Sequence, residues 1–202
     1  MSKIAVIGAM ECEIEYLRNR FNASITSIPN VYTAQVGRHW LVLSRCGIGK
    51  VNSAISTQRL IDLLKVDMVI NTGIAGALSK ELPLCGVVLG NEVIYHDFNP
   101  AWILEKNAPY TSVFKGDARL LELAEQACKG SSEIPAFKLG KIATGDCFVE
   151  DSKAAQRLRE LGCDCVEMEG ASIAHTCLMN RIPCLIIRSL SDFADEAAMA
   201  TM

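Results

Sequence analysis

No stretch of this 202-residue chain stays apolar for the roughly 18–20 residues that a membrane-spanning helix needs. The opening residues, Met1-Ser2-Lys3-Ile4-Ala5-Val6-Ile7-Gly8, lack the layout of a secretory signal. Their short apolar run reads as a first buried strand. These absences point to the cytoplasm and to no membrane partner. A basic excess is missing too: 20 Lys and Arg stand against 23 Asp and Glu, for a net charge of −3. With basic residues scattered and no polybasic run, neither nucleic acid nor an anionic lipid surface is an expected partner. Nine cysteines are present, but an odd number without a signal does not make a disulfide framework. Cys163-x-Cys165 has no second pair to complete a metal site. The thiols therefore read mainly as small reduced hydrophobes, and no metal or cofactor is expected. No internal repeat, low-complexity tract or linker divides the sequence.

What the sequence does have is an alternation of apolar β-branched runs with helical patterns. Half of its residues are hydrophobic, enough for one domain spanning 1–202 with a substantial core. Strands are predicted at Lys3–Ala9, Val66–Asn71, Gly86–Tyr95, Phe137–Thr144, Asp164–Val166 and Pro183–Leu190. Val31–Val36 and Trp40–Ser44 read as a hairpin turning near Gly37. Helices are predicted at Met10–Phe21, Lys50–Leu64, Arg119–Lys129, Asp151–Leu161 and Glu169–Met179. Residues 97–115, with Pro100, Pro109 and little periodicity, read as a long loop. The expected architecture is a three-layer α/β/α domain on a mixed, mostly parallel sheet. The last eight residues, Asp195–Met202, are helix-prone but few, so the closing helix is expected to be short or missing.

Ligands of open α/β sheets bind beyond the carboxyl ends of the strands. Four loops occupy that position, beginning at Gly8-Ala9-Met10-Glu11, Asn71-Thr72-Gly73, Thr144-Gly145-Asp146 and Ser191-Asp192. Taken singly, their residues have plain structural readings. Glu11 and Glu13, in a first helical turn, complement the helix dipole. Glu167 and Glu169 flank Met168 where a strand enters a helix, a usual place for surface or capping carboxylates. Asp192 is either a turn residue or a partly desolvated carboxyl suited to a general acid. Phe148 and Met168 read as core. Arg188 stands out, because a guanidinium in an apolar strand needs a partner.

Seven motifs occur in order with compatible spacing. They are Gly8-Ala9-Met10-Glu11-Cys12-Glu13, Gly47-Ile48-Gly49-Lys50-Val51, Asn71-Thr72-Gly73-Ile74-Ala75-Gly76, Tyr95-His96-Asp97, Gly145-Asp146-Cys147-Phe148-Val149, Val166-Glu167-Met168-Glu169 and Arg188-Ser189-Leu190-Ser191-Asp192. Together they resemble the 5′-methylthioadenosine/S-adenosylhomocysteine nucleosidases of the nucleoside phosphorylase superfamily, over nearly the whole chain. The resemblance implies a nucleoside phosphorylase-like fold, a homodimer and hydrolysis of an N-glycosidic bond with release of adenine. It implies that Asp192 protonates adenine N7, oriented by Ser191, and that Glu13 activates water positioned by Arg188. It further implies that Glu169 binds the ribose hydroxyls, Met168 packs on the sugar, Phe148 stacks on adenine and the Val149 backbone reads the base edge. Such chemistry requires no metal. His39 and His175 have no catalytic pattern, which leaves His96 as the one loop histidine to consider.

The superfamily's phosphorylases place an arginine two residues before the first glycine of the central loop and often a serine after it. This chain has Asn71 and Ile74 there. Neither supplies a phosphate ligand, so hydrolysis is favoured. Ile74 also replaces a small or hydroxyl-bearing residue frequent in the nucleosidases. After Asp97, Phe98-Asn99-Pro100-Ala101-Trp102 replaces the family's usual stretch, which leaves the 5′ substituent open. The alternatives are a futalosine-type hydrolase and a non-catalytic nucleoside-binding protein.

Overall fold

A computed structural model describes residues 1–149 and 151–194. The tail expected to form a short last helix lies outside the described residues. Strands β1 (Lys3–Gly8), β4 (His39–Arg45) and β5 (Met68–Ala77) run parallel, with β1 in the middle. Outside β4 lie β3 (Val31–Val36) and the short β2 (Ser24–Ile25), both antiparallel. The β3–β4 turn passes through Gly37 at φ +57°, a left-handed conformation that glycine adopts without strain.

On its other side β5 pairs in parallel with β10 (Cys184–Asp192). β10 is antiparallel to β6 (Val87–Tyr95), which is parallel to β8 (Phe137–Thr144). β8 is parallel to β9 (Cys165–Glu167), and β9 returns antiparallel to the end of β5. The sheet is mixed, as the hairpin implies, and its second half closes into a ring: β5, β10, β6, β8, β9 and back to β5.

Helix α1 (Glu11–Arg20) packs on β1 and β4. α2 (Lys50–Arg59) continues through a π-helical turn at Leu60–Leu64 and runs against α6 (Gly170–Asn180). α4 (Ala118–Lys129) covers β6 and β10, its first turn capped by Asp117, whose carboxylate accepts the Leu120 N–H at 3.0 Å. α5 (Ser152–Glu160) precedes β9. None of the helices described is long and apolar enough to cross a membrane.

The structure corrects three sequence-based expectations. β5 does not stop at Asn71. It continues to Ala77, because β10 pairs with it from Arg188↔Gly73 to Asp192↔Gly76. The run Thr72–Gly76 is therefore strand, its two glycines serving close approach rather than a turn. By the same pairing Ser191 and Asp192 end β10 instead of lying in a loop. Residues 97–115 hold structure as well: α3 (Trp102–Lys106) and β7 (Val113–Lys115). β7 adds antiparallel to β6 and buries Phe114.

The main core joins Ile7, Val42, Ile142, Ile173 and Ile186 between the sheet and α6. Five cysteines, Cys128, Cys163, Cys165, Cys177 and Cys184, are buried as free thiols. Ile186 lies where β10, β6 and α6 converge, 1% exposed and against Gly90 and Gly170. Ile186→Ala should lower unfolding free energy by about 2–5 kcal/mol, read as a shift of the urea midpoint.

Candidate active site

The carboxyl ends of β1, β5, β9 and β10 meet at one cleft. Glu13, in the first turn of α1, folds back on the turn that follows β1. Its Oε2 accepts the N–H groups of Ala9 at 2.6 Å and Met10 at 2.9 Å, and its Oε1 accepts the Ile74 N–H at 3.1 Å. Three backbone donors from two elements thus fix one carboxylate. Gly73 makes this possible: a Cβ there would lie 2.5 Å from Glu13 Oε1 and 3.0 Å from Arg188 Nη1.

Arg188 is 1% exposed. Its Nη2 donates to Asn71 Oδ1 at 2.7 Å and to Glu167 Oε2, with Glu169 Oε2 at 3.7 Å. Burial alone would lower the guanidinium pKa. Glu167 and Glu169 outweigh it and hold the pKa above its ordinary value. Asn71 is spent on this network, since its amide also donates to the Ile7 carbonyl at 2.8 Å. Glu167 in turn accepts from Thr144 Oγ1 and from the N–H groups of Glu169 (3.0 Å) and Gly170 (2.7 Å).

Glu169 stands at the start of α6 and is 6% exposed. Its pKa is pushed up to about 7, first by burial and then by the nearby Glu167 charge. The Gly49 N–H, donating to Oε1 at 2.8 Å, and Arg188 pull the other way. Gly49 is itself held in place. Its neighbour Lys50 donates through its backbone N–H to Asp146 Oδ1 at 2.8 Å and through Nζ to Asp97 Oδ2 at 2.6 Å. Asp97 Oδ2 also accepts the Asp146 N–H at 2.8 Å. One carboxylate thereby ties together the loops that carry Gly49 and Phe148.

At the far end of the cleft, Asp192 is buried. Its Oδ2 accepts from Ser191 Oγ at 2.7 Å and its Oδ1 from the Ala194 N–H at 2.8 Å. It sits across from Gly76, where a Cβ would come 3.0 Å from Oδ1. Gly73 and Gly76 are three residues apart on β5, so Glu13 and Asp192 flank a gap on the order of 10 Å. The cleft is concave and mostly apolar with a few converging polar groups, as small-molecule sites are. Phe148, Val149, Met168, Ile74 and Ile48 supply its apolar walls. Four carboxylates line it (Glu13, Glu167, Glu169 and Asp192), and among the described lining residues there is no Lys, Arg or His.

A family model described as the phosphorylase superfamily matches residues 3–202. A 5′-methylthioadenosine/S-adenosylhomocysteine nucleosidase of an Exiguobacterium species is 38% identical over 97% of this chain and 87% of its own length. The chain belongs to this nucleosidase family. A solved Neisseria meningitidis nucleosidase, in complex with methylthio-immucillin-A, superimposes with a TM-score of 0.91 at 37% identity. That match covers 100% of this chain and 90% of the other. Helicobacter pylori futalosine hydrolase shares the fold, with a TM-score of 0.90 at 29% identity over 99% of this chain and 88% of its own.

Within this nucleosidase cleft the structure brings together eight of the residues singled out from sequence: Glu13, Ile74, Phe148, Val149, Met168, Glu169, Ser191 and Asp192. Arg188 stands behind them, reaching the site through Glu167 and Glu169. Glu167, the ion-pair partner, is the residue sequence reasoning missed. The unpaired look of Arg188 was its signal. His96 packs against Gly145, burial lowers its pKa, and it does not line the cleft. His175 instead accepts or donates at 3.2 Å to Tyr95 Oη and stacks on Phe114.

The raised Glu169 pKa has a stability consequence. The folded protein binds this proton more tightly than the unfolded chain, with a pKa of about 7 against 4.5. The proton's stabilising contribution is full below pH 4.5, fades as pH rises and is gone above about 7. It amounts to on the order of 3 kcal/mol. Ligand-free protein should therefore lose melting temperature relative to Glu169→Gln as pH climbs through that window. Parallel melting curves for the two would contradict the assignment.

Proposed function

We propose that this chain hydrolyses the N-glycosidic bond of 5′-methylthioadenosine, S-adenosylhomocysteine or a related 5′-substituted adenosine, releasing adenine. The observation that carries the reading is the cleft's charge. Carboxylates stand at both ends, and no cation among the described residues faces the space between them. Breaking this bond puts positive charge on the ribosyl ring and negative charge on the departing base. Anionic groups around the sugar and a proton donor at the base stabilise both. A phosphate dianion, by contrast, would meet Glu13, Glu167 and Glu169 with no arginine to receive it, since Arg188 is occupied by Glu167 and Asn71. Water is the nucleophile that this site tolerates.

In this reading adenine lies between Phe148 and the β5 end, its N7 toward Asp192. Ser191 and the Ala194 N–H hold the Asp192 carboxyl so that it delivers a proton or hydrogen bond to the leaving base. Glu13, held by its three N–H donors, takes a proton from water as it attacks the anomeric carbon. Arg188 acts through the carboxylates it orients. Glu169 accepts hydrogen bonds from the ribose hydroxyls, while Met168 packs on the sugar and the Val149 backbone reads the base edge. The work belongs to a single α/β/α domain spanning 1–202, acting in the cytoplasm as a homodimer without cofactor.

Incubation with each nucleoside, with and without phosphate, followed by chromatography of base and sugar, tests the reaction. Free adenine and free sugar at equal rates in both conditions are expected. A sugar 1-phosphate would overturn hydrolysis, futalosine as the sole substrate would transfer the activity to that relative's class, and tight binding without turnover would make the chain a nucleoside-binding protein. Asp192→Asn should lower kcat by about a hundredfold or more with the fold intact, and near-normal turnover would remove it from the acid role.

A further inference from the structure

Helices α2 and α6 run side by side in the same direction. Ser53 meets Ser172 near their starts, and Gln58 meets Asn180 at 2.7 Å near their ends. Gly49 immediately precedes α2 and Glu169 immediately precedes α6. The Gly49 N–H donation to Glu169 Oε1, at 2.8 Å, is therefore a contact between two helix starts. Its length depends on how the helices sit against each other.

One turn behind that contact lies a pair of hydroxyls. Ser53 and Ser172 are both buried, and neither lines the cleft. Their Oγ atoms are 2.6 Å apart. Each also reaches back to the start of its own helix, as serine hydroxyls near helix starts do. Ser53 Oγ lies 3.0 Å from the Gly49 carbonyl and 3.1 Å from that of Lys50, and Ser172 Oγ lies 2.7 Å from the Glu169 carbonyl. Two hydrogens serve this cluster. Whichever serine donates across the gap, the other donates to its own helix, so one hydrogen bond always spans α2 and α6. Apolar packing is non-directional and lets helices slide. A buried hydroxyl pair at this distance resists sliding.

We infer that Ser53 and Ser172 are positioning residues for the reaction, their hydroxyl pair fixing the Gly49 N–H against the Glu169 carboxylate that receives the ribose. The inference rests on the functional reading above and deepens it. From the other elements Glu169 faces Glu167 on β9, Arg188 on β10, Glu13 on α1 and the Cys46 thiol after β4. None of these hydrogen-bonds to the serine pair among the described residues. Loss of the pair therefore reaches Glu169 through Gly49. A weaker Gly49 donation favours the protonated carboxyl, so the Glu169 titration moves to higher pH.

The test follows the Glu169 carboxyl carbon by NMR across pH in ligand-free wild type, Ser53→Ala, Ser172→Ala and the double variant, with Glu169→Gln to assign the signal. The midpoint should move to higher pH in each single variant and no further in the double variant, because either change breaks the same bond. KM for the nucleoside should rise about threefold to tenfold in step. Melting temperature should change little, since the remaining serine still donates to its own helix. A wild-type midpoint in folded single variants, or shifts that add in the double variant, overturns the inference. So does a lower melting temperature with the midpoint unmoved, or a moved midpoint with KM unchanged. Wild type that cleaves no nucleoside overturns the functional reading instead.

Discussion

A guanidinium cannot sit in the middle of a sheet without anions around it, and Arg188 sets that condition for the whole site. Its burial requires Glu167 and draws in Asn71. The pairing holds the start of α6, because Glu167 also accepts the N–H groups of Glu169 and Gly170. Removing one partner of such a pair leaves an uncompensated charge, at a typical cost of about 3–5 kcal/mol. The consequence for chemistry is that several carboxylates crowd into one cleft while their mutual repulsion is partly cancelled from behind. The cation does not face the substrate space. It conditions the groups that do.

Backbone shape supplies the other constraint. Gly73 lets β5 run past Glu13 at a distance that no side chain allows, and at Gly76 a Cβ would crowd Asp192. Gly49, at φ +95°, lies 3.0 Å from Asp146 Oδ1 at the position its Cβ would take, and aims its N–H at Glu169. Asp97, Lys50 and Asp146 then lock that loop to the one that leads to Phe148 and Val149. The Glu169 side and the Phe148 side of the cleft are thus tied by a charge cluster at the rim.

Much of this was legible in the residues. Period-two and helical patterns located most elements within a few positions, and the ordered motifs marked the cleft. Most of the misreadings share a cause, which is long-range pairing. Nothing local in Thr72-Gly73-Ile74-Ala75-Gly76 announces a strand. Its partner is β10, more than a hundred residues away, and two glycines suggest a turn to any local reading. Phe114 looked like part of a loop until its pairing with β6 gave it a core to enter. In Glu167-Met168-Glu169 both acids look alike in sequence. Only the fold shows that Glu167 turns to Arg188 and that Glu169 turns to the cleft. The Asp97–Lys50–Asp146 cluster joins residues 47 and 49 positions apart, a distance that no spacing argument covers.

The buried Arg188 lowers the Glu169 pKa, against the burial and the Glu167 charge that raise it. In the proposed role Glu169 accepts hydrogen bonds from the ribose hydroxyls as a carboxylate, so kcat/KM should fall as pH drops below about 7. The direct measurement is this acid limb in Arg188→Met and Arg188→Lys, with folding verified by circular dichroism. Loss of the cation should move the limb to higher pH. Lysine, which keeps the charge without the fork, should leave the limb in place while lowering the rate. A folded Arg188→Met enzyme whose acid limb stays where the wild type has it would contradict the account.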